Sequence, residues 1–401
     1  MNYIKSNIQT RFLPVLTVML AALVTLSPFA IDSYLAAMPL MANFFGVHLS
    51  VVELTVTVYF LGFSLGNFIG GPLSDSFGRK PIALTGIVLY GLAAFLIPQC
   101  RGIEQIIALR LLQAFGGGFA TVTANVFIRD WFTGKQVAKL VTVVSMMMML
   151  APLFAPVIGA FLIKWNGWSG VFYFMGCFAT VLLVAFYFLI PESRDVQLLT
   201  KTISGHQLFA KYVQFFSDKQ SVLTLFSVSF SMSGMYIFLT GASFIYIDYF
   251  KIDTDLFPLL FGANVLLNII LSFCNTILIK YYKPRFLLRT GLLVQLIAGI
   301  VLFVAVLYGT PSFWVVFIGI VVFMGSLGMV FGNGTAVILN YNPELAGSAN
   351  ATIGIMRFLL SFVIGSIITF FRAEDLVPLA TAMFLCTLIG NVLFTIHMKT
   401  R

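Results

Sequence analysis

The sequence predicts an all-α integral membrane protein with twelve transmembrane helices in two six-helix bundles. Of its 401 residues, 60% are hydrophobic and 9% are Asp, Glu, Lys or Arg, against about 25% charged residues in ordinary globular proteins. The mean hydropathy is +1.02, and no long polar stretch exists that could form an ectodomain. A soluble protein of this length could not cover its core with so few charges.

Twelve apolar runs are long enough to cross a bilayer, which takes about 20 residues. The first run is long for a signal peptide and lacks a cleavage site, so we expect it to be retained. The runs cover 12–38, 51–72, 82–99, 104–127, 140–163, 169–190, 221–245, 256–279, 288–308, 313–338, 347–371 and 376–396. A long polar segment separates six runs from six, which predicts an N-terminal bundle over 1–190, a cytoplasmic linker over 191–220 and a C-terminal bundle over 221–401.

The basic residues indicate the orientation. With the N-terminus in the cytoplasm, 17 of the 23 Lys and Arg residues fall in cytoplasmic segments, as the positive-inside tendency requires. Both termini are then cytoplasmic, and the membrane explains the net charge of +9. A nucleic-acid partner is excluded, because that function needs a clustered basic face.

Catalytic and metal chemistry find no support in the sequence. The four Cys and three His residues are scattered and form no metal-binding spacing. No nucleotide-binding G-x-x-x-x-G-K-[ST] motif is present. We therefore expect neither an enzyme nor a bound cofactor. Repeated bundles of six helices are common in transporters, although channels can also contain many helices.

The segment after the second run, GGPLSDSFGRKP at 70–81, is the most specific motif. Its Gly71, Gly78 and Pro81 would let the chain reverse. The segment resembles the major facilitator superfamily loop G-x-L-x-D-x-x-G-R-[KR]. The matching residues of that loop are Gly71, Leu73, Asp75, Gly78, Arg79 and Lys80.

Other motifs narrow the resemblance to the Bcr/CflA subfamily of drug:proton antiporters. The fourth run contains ALRLLQAFGGG, with Arg110 and Gln113 at the R-x-x-Q positions, and ends VFIRDWF. The fifth contains APLFAPVIGAF, whose Pro152, Pro156 and Gly159 match the antiporter motif. Proline bends a helix and glycine allows close helix approach, which predicts a packed hinge that discourages proton leak.

The resemblance implies a proton site at Asp32, in the segment AIDSYLAAMP. A carboxyl balanced between burial and a nearby arginine can exchange protons during a transport cycle. We hypothesise that Arg110 modulates the proton affinity of Asp32 from across the first bundle. A structural role for Asp32, or an Arg110 satisfied by backbone carbonyls, is the alternative.

The resemblance also implies a gating network of charges at the cytoplasmic face. Asp75 would lie near the N-terminus of the eleventh helix, where the helix dipole favours an anion, and Arg79 would pair with Asp130. Arg129 adds a further charge to this set. Contacts that exist in one access state only would bias the conformational equilibrium.

A substrate cavity is predicted from polar and aromatic residues within the runs. In the eighth run, Asn264, Asn268, Ser272 and Asn275 form one stripe, which would face either a cavity or a neighbouring helix as glue. Arg357 has either a cavity role or a snorkelling one. Glu53 is interpreted as a solvated interfacial charge. The predicted cavity residues are Tyr34, Gln113, Tyr236, Asn264, Asn268 and Arg357.

We therefore expect a proton-driven exporter of small amphipathic molecules in the bacterial inner membrane, working by alternating access. Its partners would be the lipid bilayer, protons and a small-molecule substrate, with the chain functional as a monomer. The charges of Asp32, Arg110 and Arg357 sum to +1. That sum favours an alternative cargo, an anionic metabolite such as a carboxylate siderophore.

Overall fold

The computed structural model describes residues 13–132, 135–193, 213–341, 346–371 and 375–399. Within these ranges the regular structure is helical, and 11 helical stretches are long and apolar enough to cross a membrane. One of them, Leu140–Leu189, is 50 residues long and has non-helical backbone at Asn166 and Gly167. It therefore consists of two helices, and the predicted all-α fold with twelve apolar runs is confirmed.

The helices are numbered α1 to α13 in chain order. The helix Lys219–Ser243 continues into a π-helical segment, Phe244–Tyr249. The helices are α1 (Leu13–Asp32), α2 (Met38–Phe45), α3 (Leu49–Phe77), α4 (Arg79–Leu96), α5 (Ile103–Trp131), α6 and α7 (Lys135–Leu189, divided at Asn166 and Gly167), α8 (Lys219–Ser243), α9 (Phe257–Leu278), α10 (Pro284–Leu307), α11 (Phe313–Tyr341), α12 (Ala346–Phe371) and α13 (Val377–Lys399).

The first apolar run is not one continuous helix, contrary to the prediction over 12–38. α1 ends at Asp32, and a short 3₁₀ turn at Leu35–Ala37 leads into α2. Pro28 lies inside α1 and cannot donate a backbone hydrogen bond. After it, the backbone N–H and the hydroxyl of Ser33 both donate to the Phe29 carbonyl, at 3.2 and 2.5 Å. The Ser33 N–H thus makes the last helical bond of α1, and the regular helix ends at Asp32.

The reversal between α3 and α4 is tighter than the predicted loop over 70–81. α3 continues through Phe77 and α4 begins at Arg79, so a single residue, Gly78, connects them. Gly78 has φ +105°, a conformation that a residue with a Cβ adopts only with strain. Gly71 lies within α3 and Pro81 in the first turn of α4, so neither takes part in the reversal.

The chain divides into two compact units. The first comprises Met1–Val47 and Val58–Ile203, and the second His48–Thr57 and Ser204–Arg401. In the first unit α1 packs against α6–α7, and α4 packs against α5. In the second, α8 packs against α12 and α13, and α11 against α9 and α10. Most of the predicted linker lies outside the described residues, so its boundaries stay a prediction.

Glycines allow close packing of α3 on α5 in the first unit. A Cβ added at Gly62 would overlap the carbonyl oxygen of Leu111, and one at Gly66 would overlap that of Phe115. Small residues of this kind let two helix backbones approach each other closely. This contact fixes α5, and with it Arg110, against α3.

Candidate functional site

Asp32 is the last residue of α1 and is buried, with 3% of its surface exposed. Its neighbours Ser33 and Tyr34 are fully buried. Among the described residues, no Lys, Arg or His forms an ion pair with Asp32. A carboxylate at such a place is costly unless it meets water or a partner. The helix break thus places a carboxyl group away from water. To lose and regain a proton, Asp32 would have to become accessible to water or to a charged partner at some point in the cycle.

Arg110 lies at the centre of the first unit and is fully buried. Its Nη1 donates to Gln113 Oε1 at 2.8 Å, along one face of α5. Nε and Nη2 have no hydrogen-bond partner. The backbone carbonyls that we considered as alternative acceptors for Arg110 are therefore not used. Gln113 in turn donates from Nε2 to the Met175 sulfur at 3.6 Å.

Aromatic rings take the place of hydrogen-bond acceptors around Arg110. The guanidinium carbon lies 4.5 Å from the ring centre of Tyr59, 4.8 Å from that of Tyr34 and 5.9 Å from that of Phe172. The negative faces of aromatic rings attract a cation, and more strongly when water is excluded. Tyr34, predicted to line the substrate cavity, is instead fully buried against Arg110 and Phe172.

The antiporter motif of α6 packs on the break of α1. A Cβ added at Gly159 would overlap the carbonyl oxygen of Ser33. Pro156 is buried and Pro152 half-buried on the same helix. Glycine at 159 therefore allows the backbone of α6 to touch the residue that follows Asp32. The motif and the predicted proton site belong to one packed region of the first unit.

Arg79 is the centre of a charge network at the α3–α4 reversal. Its Nε donates to Asp130 Oδ2 at 3.0 Å, so the pair that the family resemblance implies is present. Its Nη1 donates to Asp75 Oδ1 at 2.5 Å and to Ser74 Oγ at 3.0 Å. With a side chain 6% exposed, Arg79 ties α3 and α4 to the end of α5.

Two members of this network were missed in the sequence. Glu192 accepts hydrogen bonds from the backbone N–H groups of Arg79 and Lys80, both at 3.0 Å. Those are the first N–H groups of α4, which lack acceptors within the helix, and a carboxylate there also meets the positive end of the helix dipole. Ser193 donates to Asp130 Oδ2 at 2.9 Å.

The remaining predicted gating residues differ in their roles. Lys80 donates to the Tyr187 carbonyl at 2.7 Å, with its ammonium 5.1 Å from the Tyr187 ring centre. Arg129 is exposed and takes part in none of the ion pairs of the described residues. Arg129 is therefore not a member of the network that joins Arg79, Asp75 and Asp130. The predicted proximity of Asp75 to the eleventh helix stays a prediction.

In the second unit, Arg357 lies among aromatic rings. Its guanidinium carbon is 4.8 Å from the ring centre of Phe358 and 5.0 Å from that of Phe331. Tyr236, on α8, contacts Phe358 with the ring centres 4.8 Å apart and the ring planes tilted by 41°. Arg357 is half-buried. Two of the predicted cavity residues, Tyr236 and Arg357, are thus brought together around Phe358.

Two asparagines of the α9 stripe form hydrogen bonds with the neighbouring helix α11, and a third bonds within α9. Asn268 Nδ2 donates to the Met324 carbonyl at 3.0 Å, and Asn333 Nδ2 donates to Asn275 Oδ1 at 2.6 Å, both linking α9 to α11. Asn264 is buried and donates to Leu260 of its own helix at 3.2 Å. Asn268 and Asn275 therefore join two helices, as the alternative interpretation of the stripe expected.

Glu53 is fully buried, so its interpretation as a solvated interfacial charge was wrong. The start of α3 belongs to the second unit, where Glu53 lines a small cavity with Thr240, Gly241, Gly365 and Thr369. The sequence signal was ambiguous, because a single acid near the end of an apolar run is compatible with either a surface or a buried position. Including Glu53 changes the formal sum of the deep charges from +1 to 0.

Comparison with known proteins identifies the family. Residues 20–366 match the sequence profile of the Major Facilitator Superfamily. The chain belongs to this superfamily. A bicyclomycin resistance protein homolog of Haemophilus influenzae is 30% identical over 386 residues, covering 95% of each chain. The multidrug resistance protein MdtL of Salmonella paratyphi C is 24% identical over 371 residues, covering 92% of this chain and 90% of its own. These relatives place the chain with the Bcr/CflA transporters.

Solved structures show the same fold. A D-xylose-proton symporter superposes with a TM-score of 0.71 at 15% identity, covering 96% of this chain and 97% of the symporter. A bacterial homolog of the human lysosomal transporter Spinster gives 0.75 at 12% identity, covering 98% of both chains. The protein is therefore a multi-pass membrane protein of the major facilitator fold, in a family of transporters with drug-resistance members.

Proposed function

We propose that this protein is a proton-coupled exporter of small amphipathic molecules, working by alternating access in the bacterial inner membrane with both termini cytoplasmic. The observation that carries the proposal is the position of Asp32, a buried carboxyl at a helix break against which the antiporter motif of α6 packs. The drug-resistance relatives support an export role for the chain. The proton gradient is the energy source, no cofactor is required, and the chain acts as a monomer.

In the proposed cycle, Asp32 takes up a proton from one side of the membrane and releases it to the other. Protonation removes a charge that is costly to keep away from water, so it changes which of two conformations is more stable. No ion pair joins Arg110 to Asp32 in this conformation, so in the proposed cycle Arg110 modulates Asp32 only after a rearrangement brings the two side chains together. Its guanidinium has free donors at Nε and Nη2, which a rearranged acid or a substrate group could occupy.

The Arg79 network gives the proposed gate. Breaking it would leave the nearly buried Arg79 without its acidic partners, and an unpaired buried charge is strongly destabilising. A conformation that keeps the network is therefore favoured until substrate or proton binding offsets that cost. Glu192 belongs to this gate because it satisfies the N–H groups beside Gly78.

Everted membrane vesicles test the proposal. Uptake of a fluorescent amphipathic dye panel is measured with a proton gradient, and again after a protonophore has collapsed it. We expect gradient-dependent accumulation by the wild type and none by Asp32→Asn. Asp248→Asn, at an acid whose side chain is 46% exposed, serves as the matched control. Gradient-driven accumulation that persists in Asp32→Asn would refute Asp32 as the coupling acid, and downhill flux alone in the wild type would indicate a channel.

The alternative cargo, an anionic metabolite, no longer follows from total charge. The sum of +1 that favoured it becomes 0 once Glu53 is counted. If the protein prefers an anionic substrate, the preference must come from a single cationic side chain and the groups around it rather than from the summed charge. The family and its structural neighbours are transporters, which supports transport rather than an enzymatic reaction for this chain.

A further inference from the structure

Arg357 has no acidic partner. Across the described ranges no carboxylate oxygen lies within 4.0 Å of its guanidinium, and its Nε is buried with no hydrogen-bond partner. Its backbone carbonyl accepts from the Ser361 hydroxyl at 2.5 Å. Arginine cannot lose its proton in a protein, so this position carries a full positive charge that no acid of the described ranges pairs with.

The depth of Arg357 makes the unpaired charge costly. It lies five residues inside the apolar span Thr352–Thr369 and eleven residues, roughly 16 Å at 1.5 Å per residue, from the start of α12. A charged side chain within a bilayer faces a cavity or a partner, because exposure to hydrocarbon costs several kcal/mol. Arg357 is half-buried, so part of its side chain reaches space outside the packed protein, and the cost of a charge in hydrocarbon favours water in that space.

Two aromatic rings lie beside the guanidinium. The ring centres of Phe358 and Phe331 are 4.8 and 5.0 Å from its central carbon, and Tyr236 contacts the Phe358 ring. These ring contacts supply no oxygen or nitrogen acceptor, so they leave the N–H groups of the guanidinium available to donate. The planar edge of arginine matches the two oxygens of a carboxylate. Phe331 is 39% exposed, so an apolar surface lies beside the cation.

Arg110 provides the contrast within the same molecule. It too contacts aromatic rings, but it is fully buried and donates to Gln113. Within the described part of the chain, Arg357 has neither a polar partner for its guanidinium nor full burial. The unsatisfied donors of Arg110 are therefore closed off in this conformation, whereas Arg357 keeps an accessible edge that a ligand can reach.

We propose that Arg357 is the anion-accepting group of a ligand site in the second unit, and that the site takes aromatic carboxylates, with the ring of the ligand against Phe331. This inference rests on the proposed function in one respect only, namely that the ligand is a transport substrate. The acceptance of a carboxylate by Arg357 is a binding property and is measured without a proton gradient.

Binding of matched probe pairs to the purified full chain tests the site. Each pair consists of an aromatic carboxylate and its uncharged amide, such as 2-naphthoate and 2-naphthamide, and isothermal titration calorimetry measures the two affinities. A hydrogen bond between charged groups predicts that the wild type binds the carboxylate about tenfold or more tightly than the amide. Arg357→Gln should lose this preference while still binding the amide.

Arg289→Gln is the matched control, because Arg289 is an exposed cation of the same unit and its loss should leave the preference intact. Arg357→Lys keeps the charge without the planar edge, and should retain part of the preference. The proposal is overturned if no carboxylate of the panel binds the wild type more tightly than its amide, or if the preference survives in Arg357→Gln. If binding behaves as expected but no gradient-driven flux of any probe occurs, the transport proposal fails and the site stands.

Discussion

At the scale of single residues, Arg110 is the largest fully buried side chain of the described residues, and it carries a charge. Its single hydrogen bond to Gln113 leaves two nitrogens without acceptors. The rings of Tyr34, Tyr59 and Phe172 supply the remaining stabilisation. The ring faces, rather than the polar atoms, should therefore determine how well Arg110 is tolerated.

Two substitutions at Tyr59 distinguish the contribution of its ring to stability from that of its hydroxyl group. Tyr59→Phe removes a hydrogen bond to Ser27 Oγ, 3.1 Å long, and should cost about 1 kcal/mol. Tyr59→Leu also removes the ring over Arg110 and should cost roughly 2 to 4 kcal/mol, from the lost cation–π contact and a cavity. Thermal unfolding in detergent measures both. Equal destabilisation by the two variants would show that the rings do not stabilise Arg110.

The residues predicted from sequence and those missed differ for a physical reason. Asp32 and Arg110 could be singled out because a charge within an apolar run is unusual in itself. Glu192 and Ser193 could not, because they lie at the start of a polar segment, where charges are ordinary. Their role depends on which helix ends meet in space, and the Pro-Glu-Ser sequence after the last helix of the first unit carries no periodicity that reveals it.

At the scale of elements, two helix ends differ from the prediction, and both lie at functional motifs. The extent of the first apolar run was predicted from composition, but its break after Asp32 and the 3₁₀ turn at Leu35–Ala37 were not. The tight α3–α4 reversal depends on a single φ value at Gly78. Hydropathy detects runs of apolar residues, and it does not report where the backbone leaves the helix within them.

The two glycines of the reversal motif should respond to alanine in opposite directions. Gly78→Ala places a Cβ on a residue with φ +105° and ψ 154°, 2.7 Å from Glu192 Oε2, and should lower stability by about 1–3 kcal/mol. Gly71→Ala lies inside α3 with its nearest contact at 3.8 Å, and should leave stability unchanged or raise it by up to about 1 kcal/mol. Melting temperatures compare the pair directly. A loss for Gly71→Ala as large as that for Gly78→Ala would contradict the one-residue turn.

The contact between α6 and the break of α1 predicts a severe effect of a single methyl group. In Gly159→Ala the new Cβ would meet the Ser33 carbonyl, which cannot move aside by a side-chain rotation. We expect a loss of roughly 1–3 kcal/mol together with faster proton leak. Gly332→Ala has no neighbour within 4 Å and is the control. Melting temperature and proton leak into proteoliposomes compare the two variants. Equal melting temperatures and equal leak rates would contradict this account of the motif.

At the scale of the whole molecule, the fold followed from the arithmetic of composition, since 60% hydrophobic and 9% charged residues leave few alternatives to a helical membrane protein. Four charged residues that lie away from the ends of the sequence's apolar runs or are buried are divided between the units. Asp32 and Arg110 belong to the first, while Glu53 and Arg357 belong to the second. This division suggests separate tasks, with proton handling in the first unit and ligand recognition in the second.

The central claim is that the carboxyl of Asp32 carries the coupled proton, and proton release measured on substrate addition tests it most directly. Purified wild-type protein in weakly buffered detergent solution, with a pH indicator, should release protons when a transported substrate is added, because antiport requires the two to compete. Asp32→Asn should still bind the substrate and release none, while Asp248→Asn should behave as the wild type. Proton release by Asp32→Asn equal to that of the wild type would contradict the account.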